Sequence, residues 1–441
     1  MPAGFKEIEG WRVAQPKDDT LRGAWWEIFK DPQLNTLEEQ VDISNQNVAV
    51  AEAQFRQARA LVQEARANFF PTVTIGLGVT RSRQSSTLST GSSKSTNAVT
   101  EYSLPVDVSW ELDVWGRIRR AVESAQAGAQ ASAGDLETAR LSARAELAQD
   151  YFQLLALDAQ KQLLDAAVAD FEKSLQLTNN RYAAGVASRA DVLQAETQLK
   201  TTQAQAIDVG VQRAQLEHAI ALLIGKPTSS LSIPTTPLAL VPPTIPVGIP
   251  SEILERRPDI AAAERRVAAA NAQIGVAKAA FFPTISLGAS GGFESGSFSR
   301  WLSWPSRFWS VGPAISETVF DGGLREAQTE AARAAYDANV ALYRGTVLTG
   351  FQQVEDNLAA LRILENEAQV QDEAVKAAQQ SVTVTTNQYK AGITAYLDVI
   401  TAQTASLTNE RTAATILGNR LNATVLLIKA LGGGWNVSNL P

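Results

Sequence analysis

The chemistry open to this chain is narrow. Its 441 residues include one histidine, His218, one methionine, Met1, and no cysteine. Disulfides and thiolate metal sites are therefore excluded. Gly288-Ala289-Ser290-Gly291-Gly292 has the G-x-S-x-G spacing of a nucleophile elbow, which needs a strand-to-helix corner and a histidine base. Here the motif ends a strand-like run, and His218 lies in a separate helical stretch, QLEHAIALL. His218 reads as a polar residue on a helix face, with a pH sensor as the sharper alternative. Gly225-Lys226 lacks the upstream glycine of a phosphate-binding loop, and Pro227 stands where serine or threonine is needed. A net charge of −7 argues against nucleic acid. No enzyme and no cofactor are expected.

Two acidic residues remain. Asp191 and Asp398 each stand six residues after a glycine, Gly185 and Gly392, in closely similar stretches. One reading is a first-turn aspartate favoured by the helix dipole. The other is a ring of carboxylates at a constriction. For Asp191 both stay open.

The stretches around them are copies. NRYAAGVASRADVLQAET (residues 180–197) recurs as NQYKAGITAYLDVITAQT (387–404), 207 residues later. ARANFFPTVTIGLG recurs as AKAAFFPTISLGAS, WGRIRRA as DGGLREA, and ALLIG as VLLIK, in the same order. The pattern is that of an internal duplication. An N-terminal segment (1–31) precedes a first repeat (32–225). A linker with seven prolines (226–250) leads into a second repeat (251–431) and a tail (432–441). The prolines forbid a helix in the linker and favour an extended crossing.

Each repeat reads helix, two strands, long helix, turn, helix. A first helix over Pro32–Asn68 carries Val48, Ala51, Phe55, Ala58 and Val62 at spacings of three and four, and the FFP sequence stops it. Val73, Ile75, Leu77 and Val79 then alternate with threonine and glycine as a single strand. A Ser/Thr-rich loop over 82–100 leads to a return strand bearing Tyr102, Leu104, Val106, Val108, Trp110 and Leu112 on one face. In the second repeat the loop is expected at 291–306 and the return strand at 309–320. The long helices, about 119–178 and 324–388, span roughly 90 to 100 Å, and their shorter partners, 188–224 and 395–431, about 55 Å. Every eighteen-residue window is interrupted by polar residues, so no transmembrane helix is expected; MPAGFKEIEGW does not read as a signal peptide. What remains is a soluble protein or a membrane β-barrel.

Four amphipathic strands cannot close a solute-wide barrel and leave open edges. Three chains would give twelve strands with no edge. The expected fold is thus mainly α with a membrane β-barrel, in which long coiled-coil-like hairpins extend the trimeric barrel as an α-barrel. Phe69, Phe70, Trp110, Trp115, Phe281, Phe282 and Trp309 fall at strand ends and loops, as core or as a membrane-interface girdle.

With WWEIFKDPQLNTLEEQV at 25–41, the paired FFPT segments, LDVWGRIR and the two Y-x-A-G turns in hand, the chain resembles the TolC-like outer-membrane efflux channels, in the NodT-type branch often made as N-terminal lipoproteins. The resemblance covers nearly all of the chain. The lipidated cysteine of that branch is missing, so it was lost with a leader or the barrel alone is the anchor. The resemblance implies a passive homotrimeric exit duct in the Gram-negative outer membrane, its helical barrel in the periplasm. A periplasmic adaptor and an inner-membrane pump, of the RND type, would be its partners. Tyr182, Gly185, Val186, Ala187 and Ser188, with Tyr389, Gly392, Ile393, Thr394 and Ala395, would then form the adaptor-contacting tips. The gate would comprise Asp398 and Asp191 with Tyr396 and Thr401. Asp398 matches the family's acidic position, whereas Thr401 replaces a second acid. Two alternatives stand beside this reading: the exit channel of a type I protein secretion system, and a non-channel coiled-coil structural protein.

Overall fold

The computed structural model describes residues 23–83, 85, 98–236, 240–243, 245 and 256–435. Most of the N-terminal segment and of the Ser/Thr-rich loop, part of the linker, the expected helix start at 251–255 and most of the tail lie outside the described residues.

Long helices hold most of the ordered residues, and among the described residues all strands fall in one sheet. In chain order the elements are α1 (Pro32–Ser44), α2 (Gln46–Ala67), β1 (Thr72–Ile75), β2 (Gly78–Ser82), β3 (Val99–Glu111), α3 (Arg117–Ala183) and α4 (Arg189–Leu223). There follow α5 (Pro258–Ala279), β4 (Thr284–Ser295), β5 (Arg307–Ser316), α6 (Leu324–Lys390) and α7 (Tyr396–Ala430). The two hairpins, α3–α4 and α6–α7, have equal arms of 67 and 35 residues. The chain divides into two compact units, and each draws on both halves of the sequence.

The first unit comprises Met1–Gln54, Ala133–Ala262 and Arg344–Pro441 and is helical where described. Leu157, Leu164 and Phe171 of α3 recur every seven residues and pack with Leu199, Ala206 and Val209 of α4, the spacing of a coiled-coil seam. The expected single helix over Pro32–Asn68 is broken at Asn45. Its backbone is extended, with φ −67° and ψ 123°. Its side-chain oxygen accepts the Asn47 and Val48 N–H groups at 2.9 and 3.1 Å, capping α2. Its amide nitrogen donates to Leu223 O at 2.8 Å, tying the break to the last turn of α4. A parallel joint ends α7: Arg257 donates to Ala430 O at 3.1 Å and to Gln353 at 2.9 Å.

The described part of the proline-rich linker is clasped by α3 and α4. Arg213 pairs with the wholly buried Asp158 at 2.6 Å and donates to Ile233 O at 2.6 Å, while Glu217 accepts the Ile233 N–H at 2.6 Å. Removing one partner of such a pair strands a buried charge. Asp158→Ala is expected to lower stability by about 3–5 kcal/mol. Urea unfolding followed by circular dichroism measures it, and a loss under about 1 kcal/mol would put the pair in the class of surface salt bridges.

The second unit, Phe55–Ser132 and Ala263–Tyr343, holds the sheet, in the order β1/β2–β3–β4–β5, antiparallel throughout. The strand expected over 72–80 is two strands in one register. Opposite the gap stands Pro105, which has no N–H to give the ladder; Gly76 still donates to Pro105 O at 2.9 Å. β4 runs on through residues 291–295, where a loop was expected. Gly292 allows this, because a Cβ there would lie 2.0 Å from Leu104 O. The return strand correspondingly starts at Arg307 and ends at Ser316 rather than covering 309–320.

Candidate functional site: hairpin tips and a two-faced sheet

Both tips close in the same way. Gly185 and Gly392 each adopt φ +76°, the left-handed conformation that glycine takes without penalty. Val186 N–H bonds Arg181 O at 2.8 Å and Gly185 N–H bonds Tyr182 O at 2.9 Å; Ile393 bonds Gln388 O and Gly392 bonds Tyr389 O at 2.9 and 3.0 Å. These are paired Schellman closures, which satisfy the last carbonyls of the long helices. In that motif the residue after the glycine often packs back on its helix. Here Val186 and Ile393 are instead 66% and 75% exposed, and Tyr182 is also exposed.

The helices that leave the tips are capped differently. Ser188 and Asp191 form a full capping box: the serine hydroxyl accepts Asp191 N–H at 3.2 Å, and the aspartate accepts Ser188 N–H at 2.9 Å. At the second tip Ala395 offers no side-chain acceptor. Asp398 accepts the Ala395 N–H at 3.3 Å and the Thr394 hydroxyl, so the threonine supplies part of what the alanine lacks. Thr401, exposed, bonds back to Leu397 O at 2.8 Å. Asp398 itself is exposed on the first turn of α7.

The two tyrosines are buried. Tyr389 and Tyr396 pack with ring centroids 5.4 Å apart, beside Ala195 and Val399. Burial pushes the Tyr396 phenol up to about 12, with Tyr389 adding to the effect. Arg181, which sequence reasoning missed, joins the hairpins: it donates to Tyr389 O at 2.8 Å and lies 4.4 Å from the Tyr389 ring centroid.

The sheet is sorted by chemistry. Residues opposite one another in an antiparallel pair share a face. Val73 pairs with Val108, Trp110 with Leu287, Ala289 with Val311, and Ile285 with Ile315. The other face holds Thr74 with Asp107, Ser109 with Gly288, and Ser290 with Ser310. Ser290 of the G-x-S-x-G motif lies within β4, not at its end, and donates to Asp107 at 2.6 Å. Among the described residues, both outer strands, β1/β2 and β5, pair on one side only. Trp110 and Trp115 donate to the carbonyls of Phe69 and Pro283, Trp115 stacks on Phe282 at 4.8 Å, and Phe281 lies under Arg325. Phe70 is exposed beside them, and Trp309, 79% exposed, stands on the apolar face near the loop end of β5.

The sequence profile of the family described as outer membrane efflux protein matches residues 37–226 and 249–433. The pyoverdine export outer membrane protein OpmQ of Pseudomonas aeruginosa is 31% identical over 441 residues, covering 99% of this chain and 93% of the relative. The toluene efflux pump outer membrane protein TtgI of Pseudomonas putida is 32% identical over 414 residues, 93% of this chain and 87% of the relative. The solved outer-membrane channel OprN aligns with a TM-score of 0.91 at 32% identity, covering 98% of this chain and 97% of its own. A likeness at 27% identity to the outer membrane protein VceC of Vibrio cholerae has a TM-score of 0.86 and covers 93% and 99% of the two chains. The chain belongs to the outer membrane efflux protein family and serves in the outer membrane as the exit channel of an efflux system.

Proposed function

We propose that three copies of this chain assemble into one passive duct, with the apolar sheet face in lipid and the polar face lining a water-filled lumen. The observation that carries this is the sorted sheet with two open edges. Strands of 12 and 13 residues are long enough to cross the bilayer when tilted. Only closure with further copies removes the edges. A periplasmic adaptor would seat on the exposed Val186 and Ile393 at the tips and connect the duct to an inner-membrane pump. The cargo class is small organic solutes, by likeness to the relatives named above. The matched hairpins and the paired helix-end joints support descent by duplication. Detergent-extracted protein should run as a trimer in light scattering and conduct in planar bilayers. A monodisperse monomer without detergent would overturn the assembly.

Asp398 is proposed to ring the narrowest point of the closed duct. Like charges about 4 Å apart repel by about 4 kcal/mol at an effective dielectric near 20, so the ring would gather cations. Asp398→Asn keeps an acceptor for Ala395 N–H and removes only the charge. Cation selectivity should weaken, read as a reversal potential closer to zero in a salt gradient. An unchanged reversal potential would leave Asp398 as a helix cap alone.

A further inference from the structure

The loop end of the sheet carries charge that nothing in the described chain neutralises. Arg81 is the last residue but one of β2, opposite Thr100, and Arg307 opens β5 opposite Phe293. The register places both on the apolar face. Arg300 lies in the connection between β4 and β5. All three are exposed, and none pairs with a carboxylate among the described residues. At the helix end of the same sheet the arrangement is the reverse: Arg117 pairs with Glu111 at 2.6 Å, Arg119 with Asp113 at 3.2 Å, and Arg325 with Asp321 at 2.5 Å. Residues 295–316 contain no acid in a chain of net charge −7. The nearest strand acids, Glu101 and Glu294, lie opposite Thr80 and Ser103, on the polar face.

The same connection is built as an apolar platform. Phe298, Leu302 and Trp304 are 70%, 64% and 74% exposed. The aromatic rings of the connection are held in place: Tyr102 packs on Phe298 and Trp301 at 5.5 and 5.9 Å, and Trp301 donates to Phe293 O at 3.3 Å. Arg307 lies over the Trp304 ring and donates to its carbonyl at 3.0 Å. Amphipathic rings of this kind settle at a membrane–water interface, and guanidinium groups beside them bind phosphate oxygens in a bidentate fork. Basic residues next to a bilayer surface concentrate anionic lipid there.

We propose that Arg81, Arg300 and Arg307, with the β4–β5 connection, form a docking surface for lipids whose headgroups carry an anionic phosphate monoester. It continues the lipid-facing side of the sheet, so the inference rests on the proposed reading of that face. A free anion would need only the arginines; the exposed rings beside them call for acyl chains as well.

The test uses the full chain and the Arg81→Gln/Arg300→Gln/Arg307→Gln variant. Both are reconstituted into phosphatidylcholine vesicles, with or without phosphatidic acid as a minor component, then re-extracted and assayed for co-purified lipid by mass spectrometry. The wild type should retain phosphatidic acid over phosphatidylcholine about ten-fold more than the variant. The Arg→Lys triple variant, which keeps the charge without the fork, should fall between them. Equal enrichment in wild type and glutamine variant, or none in either, overturns the docking surface. So does displacement of the lipid by millimolar inorganic phosphate, which would show an anion site without a lipid component. Co-flotation with phosphatidylcholine vesicles tests the underlying reading separately: if the wild type does not float, the lipid-facing assignment fails, whatever the enrichment.

Discussion

Gly392→Pro is expected to abolish efflux in cells while leaving the assembled channel extractable at normal yield. Proline holds φ near −65°, whereas Gly392 sits at +76°. The substitution also deletes the N–H that bonds Tyr389 O at 3.0 Å. The turn must therefore open, and Ile393, proposed to meet the adaptor, is carried away from its place. The disturbance is local, because nothing lies within 4 Å of a Cβ built on Gly392. Gly392→Ala separates conformation from contact. It keeps the N–H and costs about 1–2 kcal/mol for the left-handed backbone, so most transport should survive. Minimum inhibitory concentrations of known pump substrates, in cells lacking the native channel, read the difference. Wild-type resistance from the proline variant at equal expression would sink the docking role of this tip.

The tips were legible because a turn written twice, with glycine at the same offset, admits few conformations. The long helices were legible because their apolar periodicity runs for tens of residues without proline. What escaped depended on partners distant in sequence. Asn45 does not look like a helix breaker within its own stretch, and the carbonyl it serves belongs to Leu223. The gap between β1 and β2 is caused by Pro105, some thirty residues away on the neighbouring strand. Gly291-Gly292 read as a loop because glycine is common in loops; in the sheet the same lack of a side chain lets Leu104 approach. Among the candidate site residues, Asp191 and Asp398 stood out from their spacing after the turns. The tyrosine pair under Arg181, and the arginines at the loop end of the sheet, gather residues that are far apart in the chain and have no shared local pattern.

The positive-φ glycines of the two joints should behave quite differently from those at the tips. Gly225 and Gly432 also sit in the left-handed region, at +65° and +93°. Each, however, lies against backbone: a Cβ on Gly225 would come within 2.2 Å of Ser44 O, and one on Gly432 within 1.9 Å of Arg256 O. A flexible side chain could move aside, but these carbonyls belong to segments held on either side. Ser44 adjoins Asn45, bonded to Leu223 O; Arg256 adjoins Arg257, bonded to Ala430 O. Gly432→Ala thus adds overpacking of about 1–3 kcal/mol to about 1–2 kcal/mol of backbone strain. The joint must separate or the end of α7 must unwind. The expected result is a loss of about 2–5 kcal/mol, seen in urea unfolding followed by circular dichroism, with reduced yield of assembled channel. Gly392→Ala, with the same strain and free space around it, is the matched control. If the two alanine variants lose equal stability, close backbone approach at the joint contributes nothing and the cost is conformational alone. A larger loss at Gly432 would show that the short arm of the hairpin is locked at its far end by contact between backbones, which no polar or apolar side chain there could replace.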